Sequence, residues 1–209
     1  MKKLIPILLA VFALASCEKD PDMGKLDDNY LVYTNYDKKA DFKVPTFYLA
    51  DQILVINDSK EPEYLEGEGA EQILAAYTEN MEARGYTAAD TKENADLGIQ
   101  VSYIESTYYF TSYNQPEWWW GYPGYWGPSY WGNWGGWYYP YAVTYSYSTN
   151  SFITEMVNLK ADEGEGKKLP VVWTSYLTGF ETGSKAINRT LAIEAVNQSF
   201  TQSPYLTNK

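Results

Sequence analysis

Apolar positions along the chain fall into short runs whose period changes, and the period assigns the elements. Tyr30-Leu31-Val32-Tyr33-Thr34 and Thr46-Phe47-Tyr48-Leu49-Ala50 are aromatic and β-branched runs separated by a polar stretch ending at Pro45, and they predict two strands. Between Ala70 and Arg84, Ile73, Tyr77 and Met81 recur every fourth residue, flanked by Leu74 and Ala76. That spacing predicts a helix, and Gly85 stands where a left-handed cap ends one. Leu97, Ile99, Val101 and Tyr103 then alternate with Gly98, Gln100 and Ser102, which predicts a strand with a single buried face. Val143 to Tyr147, Phe152 to Leu159 and Val171 to Leu177 supply further strands, the last two joined by a charged turn at Asp162 to Lys168. A closing helix is expected from Ser184 to Phe200, with Ile193, Val196 and Phe200 on one side and Ile187 and Leu191 pointing elsewhere.

Strand, helix and strand between residues 46 and 104 make a β-α-β unit, and such crossovers join parallel strands. With both helices on one face, the expected fold is α+β: a two-layer sandwich of a mixed β-sheet with a β-α-β unit and a C-terminal helix. It is expected to form a single domain over residues 30–209, interrupted by an aromatic, Gly/Pro-rich loop insertion at 113–141.

The first residues change the picture from fold to address. Lys2 and Lys3 precede the apolar run Leu4 to Ala15, and Ser16-Cys17 follow, the order of a secretory signal. A membrane-spanning helix needs about 20 apolar residues, and this run is shorter. Leu14-Ala15-Ser16-Cys17 resembles the lipobox of bacterial lipoproteins, which implies cleavage after residue 16 and a multiply acylated, palmitate-type anchor on Cys17. Several acyl chains together hold a protein on a membrane where one does so only marginally. Residues 17–29 are polar, acidic and aperiodic, and are expected to be a tether. Glu18 after the cysteine permits sorting to the outer membrane, and the cluster Glu18-Lys19-Asp20 resembles the short acidic signals that display lipoproteins on the outer surface or is merely a solvated linker, so periplasmic and surface-exposed faces both stay open. The expected location is therefore the cell envelope.

Absences restrict the chemistry. Cys17 is the one cysteine and there is no histidine, so thiol nucleophiles, imidazole triads and the commonest zinc and iron sites are excluded. We expect no cofactor, no metal and no enzymatic activity. Without residues 1–16 the chain carries 14 basic and 27 acidic side chains, a net charge of −13, which repels nucleic acid.

The densest chemical signal lies in the insertion. From residue 118 to 141, 13 of 24 residues are Trp or Tyr, including seven of the chain's eight tryptophans. The candidate binding residues are Trp118, Trp119, Trp120, Tyr122, Tyr125, Trp126, Tyr130, Trp131, Trp134 and Trp137. Such rings can fold back over a bare sheet face. They can also present flat apolar platforms with polar tips to a glycan or an envelope protein, or sit at a membrane interface. Against the last, residues 113–141 contain no Lys or Arg. Carboxylates gather at Glu61, Glu63, Glu66, Glu68 and Glu71, and again at Asp162, Glu163 and Glu165, without a spacing that selects a catalytic pair. A carboxylate-dependent enzyme acting on envelope polysaccharide is the alternative reading.

Several short motifs keep a common order: the early Tyr-rich strand, Arg84-Gly85-Tyr86, Ala95-Asp96-Leu97, Ser151 to Asn158, Val172-Trp173, Ile193-Glu194-Ala195-Val196, Phe200 and Pro204. Together they resemble the bacterial lipoproteins grouped as domain of unknown function family 4136, over roughly residues 30 to 205. The resemblance implies an envelope location and an α/β fold, and no reaction. Asn158 and Thr174-Ser175 depart from that family's usual Asp and Arg-Gly, so no polar site is carried through them.

Overall fold

The computed structural model describes residues 30–57, 59, 61–105, 127–141, 150–161 and 167–209. The signal segment, Cys17, the tether, the expected strand Val143 to Tyr147 and residues 162–166 of the charged turn lie outside them. Six strands form the main sheet: β1 (Leu31–Tyr36), β2 (Thr46–Ile56), β3 (Glu63–Leu65), β5 (Leu97–Ile104), β7 (Ser151–Asn158) and β8 (Leu169–Thr178). Their order is β1-β8-β7-β5-β2-β3, with the two-residue strands β4 (Thr87–Ala88) beside β2 and β6 (Trp137–Tyr138) beside β8.

The expected β-α-β unit is present. β2 and β5 are parallel, with Phe47 opposite Leu97 and Ile56 opposite Ile104, and α1 (Glu68–Ala83) connects them. β5, β7, β8 and β1 then run antiparallel in succession, so the sheet is mixed. The register of β2 against β5 shifts between Leu49 and Ile53, which lets Asp51 and Gln52 bulge into solvent and extends β2 beyond the predicted run. The start of the parallel pair is fixed by one carboxylate: Asp96 Oδ2 accepts from Thr46 Oγ1 at 2.6 Å and from Thr46 N at 3.0 Å.

α1 and α3 (Lys185–Thr201) lie side by side on one face of the sheet, joined by Asn80 Nδ2 donating to Asn197 Oδ1 at 2.7 Å. Ala70, Ile73, Ala76, Tyr77 and Met81 form the buried stripe of α1, as its four-residue period predicts. The expectation for α3 needs correction. Its buried stripe is Leu191, Ala192, Ala195, Val196, Ser199 and Phe200, while Ile193 is only partly buried. Small alanines and a serine let the backbone of α3 settle close against α1 and the sheet, so side-chain size misidentified the inward face. Trp173 of β8 completes this core, its ring 5.5 Å from Phe200 and its Nε1 donating to Ser203 Oγ at 2.9 Å.

Gly85 ends α1 at φ 92°, with Gly85 N donating to Glu82 O and Tyr86 N to Met81 O, and with Met81 and Tyr86 in the same apolar cluster. This is a Schellman cap with its hydrophobic contact. A Cβ at Gly85 would meet Lys209 Cγ at 3.2 Å. Gly85→Ala is therefore expected to lower unfolding free energy by about 1–2 kcal/mol in urea titration; an unchanged midpoint would contradict the cap.

Tyr77 is wholly buried, with its hydroxyl 2.5 Å from Thr154 Oγ1. Burial pushes its phenol from the usual 10.0 up to about 12, against the smaller opposing effect of its hydrogen bonds to Thr154 and Ser175. The folded state thus holds this proton more tightly than the unfolded state. The contribution is complete below pH 10 and is lost as pH rises from there toward 12, by roughly 3 kcal/mol in all. Urea midpoints measured from pH 9 to 11.5 should fall, and fall less steeply in Tyr77→Phe; equal slopes would remove Tyr77 as the cause.

Candidate functional site

The sheet face opposite the helices carries polar residues from two neighbouring strands. On β5 these are Gln100 and Ser102, in line with Gly98, and on β7 Glu155, which lies directly opposite Gln100. The pattern predicted one buried face for β5. The structure buries both, with Gln100 1% and Ser102 2% exposed. At Gly98 and Gln100 the reason is that residues 127–141 lie across this face, with Trp131 against both.

The short helix α2 (Pro128–Trp131) brings the ring of Trp131 onto Gly98, so closely that a Cβ there would sit 2.4 Å from Trp131 Cζ3. Trp131 Nε1 donates to Gln100 Oε1 at 2.8 Å, Gln100 Nε2 donates to Glu155 Oε2 at 2.6 Å, and Tyr139 Oη donates to Glu155 Oε1. The polar groups thus form one hydrogen-bonded chain between sheet and cover, which is how buried amide and carboxylate groups avoid the cost of desolvation. Trp134 and Trp137 fill the remainder with Ile153, Val157, Leu169 and Tyr176. β6 runs parallel to the start of β8, pairing Trp137 with Leu169, and Gly135 N donates to Lys167 O at 2.8 Å.

Three candidate binding residues must therefore be reassigned. Trp131, Trp134 and Trp137 are 5%, 8% and 1% exposed, so their ring faces are not free to stack on a ligand. They are core, because the sheet needs a second apolar layer. Truncating any of them to alanine should cost about 3–5 kcal/mol of stability. Trp118, Trp119, Trp120, Tyr122, Tyr125 and Trp126 lie outside the described residues. Tyr138 is the exposed ring of the segment, and Tyr130 is half-buried at its edge.

Tyr130 forms one wall of a cleft of about 340 Å³ between α2, the turn Lys92–Asn94 and the end of β7. Lys92 Nζ lies 3.7 Å from the centre of its ring, a cation–π contact. Lys160 Nζ reaches Glu93 O at 3.4 Å, and Asn133 lines the same space. Burial holds the Tyr130 phenol well above its ordinary range, reinforced by Tyr48, Asp51 and Glu93. The cleft offers an aromatic wall, two ammonium groups, the Glu93 carboxylate and an amide, a set that suits a polyhydroxylated ligand. Its two lysines come from loops outside the insertion, and no motif in the sequence links them to Tyr130.

Of the predicted acidic cluster, Glu63 is brought beside Glu105: Asn57 Nδ2 donates to Glu63 Oε2 at 2.8 Å and to Glu105 Oε2 at 3.0 Å. Glu68 pairs at 3.8 Å with Arg189. Among the described residues no group of three or more Asp or Glu side chains is placed to hold a metal ion, and no helix is long and apolar enough to cross a membrane.

The model of the domain of unknown function DUF4136 matches residues 32–205, and the chain belongs to that family. A crystal structure of a DUF4136 family protein from Bacteroides thetaiotaomicron VPI-5482 is 91% identical, covering 88% of this chain and 100% of that one at a TM-score of 0.82. The PelC dodecamer from Paraburkholderia phytofirmans is 11% identical over 85% of this chain and 98% of its own, with a TM-score of 0.41. A PDZ domain protein from Parabacteroides distasonis ATCC 8503 is 14% identical over 85% of this chain and 36% of its own, at 0.38. Those two likenesses are too remote to carry a function. No curated protein matches the chain.

Gly98→Ala tests the close approach of Trp131. The added methyl is expected to displace the ring and lower stability by about 2 kcal/mol, with a red shift of tryptophan emission as the cover loosens. Wild-type emission and stability would show that the ring does not rest on β5.

Proposed function

We propose that this protein is a non-enzymatic binding or structural module of the bacterial cell envelope, anchored by lipid on Cys17 and exposing the outer edge of its aromatic segment to a glycan. The observation that carries the anchor is the sequence Leu14-Ala15-Ser16-Cys17 behind a basic start and an apolar run. The binding half of the reading is supported by the way the segment is built. Trp131, Trp134 and Trp137 fasten it to the sheet, leaving Tyr138 and the Tyr130–Lys92–Lys160 cleft on the solvent side. A rigidly held aromatic edge loses little conformational entropy when it meets a ligand. The outer membrane is the favoured location because Glu18 follows the acylated cysteine.

Mass spectrometry of the protein extracted from its host membrane is expected to find an N-terminal peptide beginning at acylated Cys17, and Cys17→Ser is expected to release the protein from the membrane fraction. An unacylated thiol would overturn the anchor. In pull-downs with envelope polysaccharide, a combined Tyr130→Ala, Tyr138→Ala and Lys160→Ala variant is expected to lose at least tenfold in binding with its fold intact. Retained binding would remove the aromatic edge as the site. Polysaccharide turnover abolished by Glu63→Gln or Glu105→Gln would replace the binding module with an enzyme.

A further inference from the structure

On the helical side of the sheet, away from the aromatic cover, a cavity of about 590 Å³ opens between the first turns of α1 and α3 and the end of β5. The volume lies within the range of small-molecule sites. It also stands at the carboxyl end of the parallel pair β2/β5, just above the crossover helix, the place where open α/β sheets have room for ligands.

Its floor is apolar and its rim is charged. Tyr103, Phe152 and Phe180 line it as a row of rings with centres 5.0 and 5.7 Å apart, and Ile73 and Ala192 close the helical side. On the rim, Lys185 and Arg189 both come from the beginning of α3. Cations there oppose the helix's own field, so local helix stability does not account for them. The chain as a whole is strongly acidic, at −11. Lys185 has no ion-pair partner among the described residues, and Arg189 has a single long contact to the solvent-exposed Glu68 at 3.8 Å, a pair of small energetic value. Glu66 lines the opening, Glu105 and Glu181 lie near enough to act on Tyr103, and Glu181 accepts from Asn150 Nδ2 at 2.6 Å.

Asn150 is the one non-glycine residue with positive φ among the described residues, at 54°, and it lines this cavity. It is held by Tyr103, whose hydroxyl donates to Asn150 Oδ1 at 2.5 Å and so fixes one wall.

We propose that this cavity binds a single-chain amphiphile with a carboxylate head, its hydrocarbon lying along Phe152, Phe180 and Ile73 and its head meeting Lys185 and Arg189. The site is independent of the lipid anchor and of the aromatic edge.

Titrating the full chain with palmitate below its aggregation concentration, followed by calorimetry, is expected to give saturable one-to-one binding. Hexadecyltrimethylammonium, with the same chain length and the opposite charge, is expected to bind at least tenfold more weakly. Lys185→Glu, at an exposed position, and the double variant Lys185→Glu with Arg189→Glu should each weaken palmitate, the double by at least tenfold, and narrow the preference over the cationic amphiphile. Ile73→Trp, which fills the floor, should abolish binding of both. No saturable palmitate binding, equal affinity for the two amphiphiles, or palmitate affinity unchanged by the charge variants would each overturn the proposal.

Discussion

Trp131 resting on Gly98 is the contact on which the second half of this structure depends. Because Gly98 has no side chain, the indole lies against the backbone of β5, and from that position its N–H reaches Gln100. Gln100 holds Glu155, and Glu155 takes the hydroxyl of Tyr139. A carboxylate and an amide on the interior face of a sheet would be costly alone. Joined in series, they align the covering segment with the two central strands, and the tryptophans that follow close the apolar remainder.

That arrangement divides the aromatic segment by role. The rings that touch the sheet are structural, and among the described residues the solvent side is the edge: Tyr138, Tyr130 and the lysines of neighbouring loops. The helical face is organised differently. Its core is sealed where α1 and α3 run together over Trp173 and Phe200, and opens where the two helices begin, since α1 starts behind the ends of β2 and β5 while α3 starts from the turn after β8. The two faces therefore offer chemically distinct surfaces, one polar and aromatic, the other an apolar cavity with a cationic rim.

Most of the fold was legible in the sequence where periodicity is strong. The four-residue spacing of Ile73, Tyr77 and Met81 and the glycine at residue 85 located α1 and its cap, and the alternation from Leu97 to Tyr103 located β5. The inward face of α3 was misread because Leu191 sits in the buried stripe with alanines, which carry little weight when large side chains are used to find it. The single-face reading of β5 failed for a related reason: Gln100 looks solvent-facing until Trp131 of a distant segment donates to it. The candidate site was legible as a concentration of aromatic residues, but which rings face inward was not, since Gly and Pro erase any period along it.

What the sequence determined by itself is local: where strands and helices form, where α1 must stop, the acidic character of the chain and the absence of imidazole and, beyond Cys17, thiol chemistry. These follow from side-chain period, backbone freedom and composition, which act over a few residues. Tertiary structure alone decided that Trp131, Trp134 and Trp137 are core, that Lys92 and Lys160 flank Tyr130, and that Lys185 and Arg189 crown an apolar cavity. Those outcomes depend on contacts between residues tens of positions apart, and burial there is settled by which surface is left uncovered when the other elements have paired.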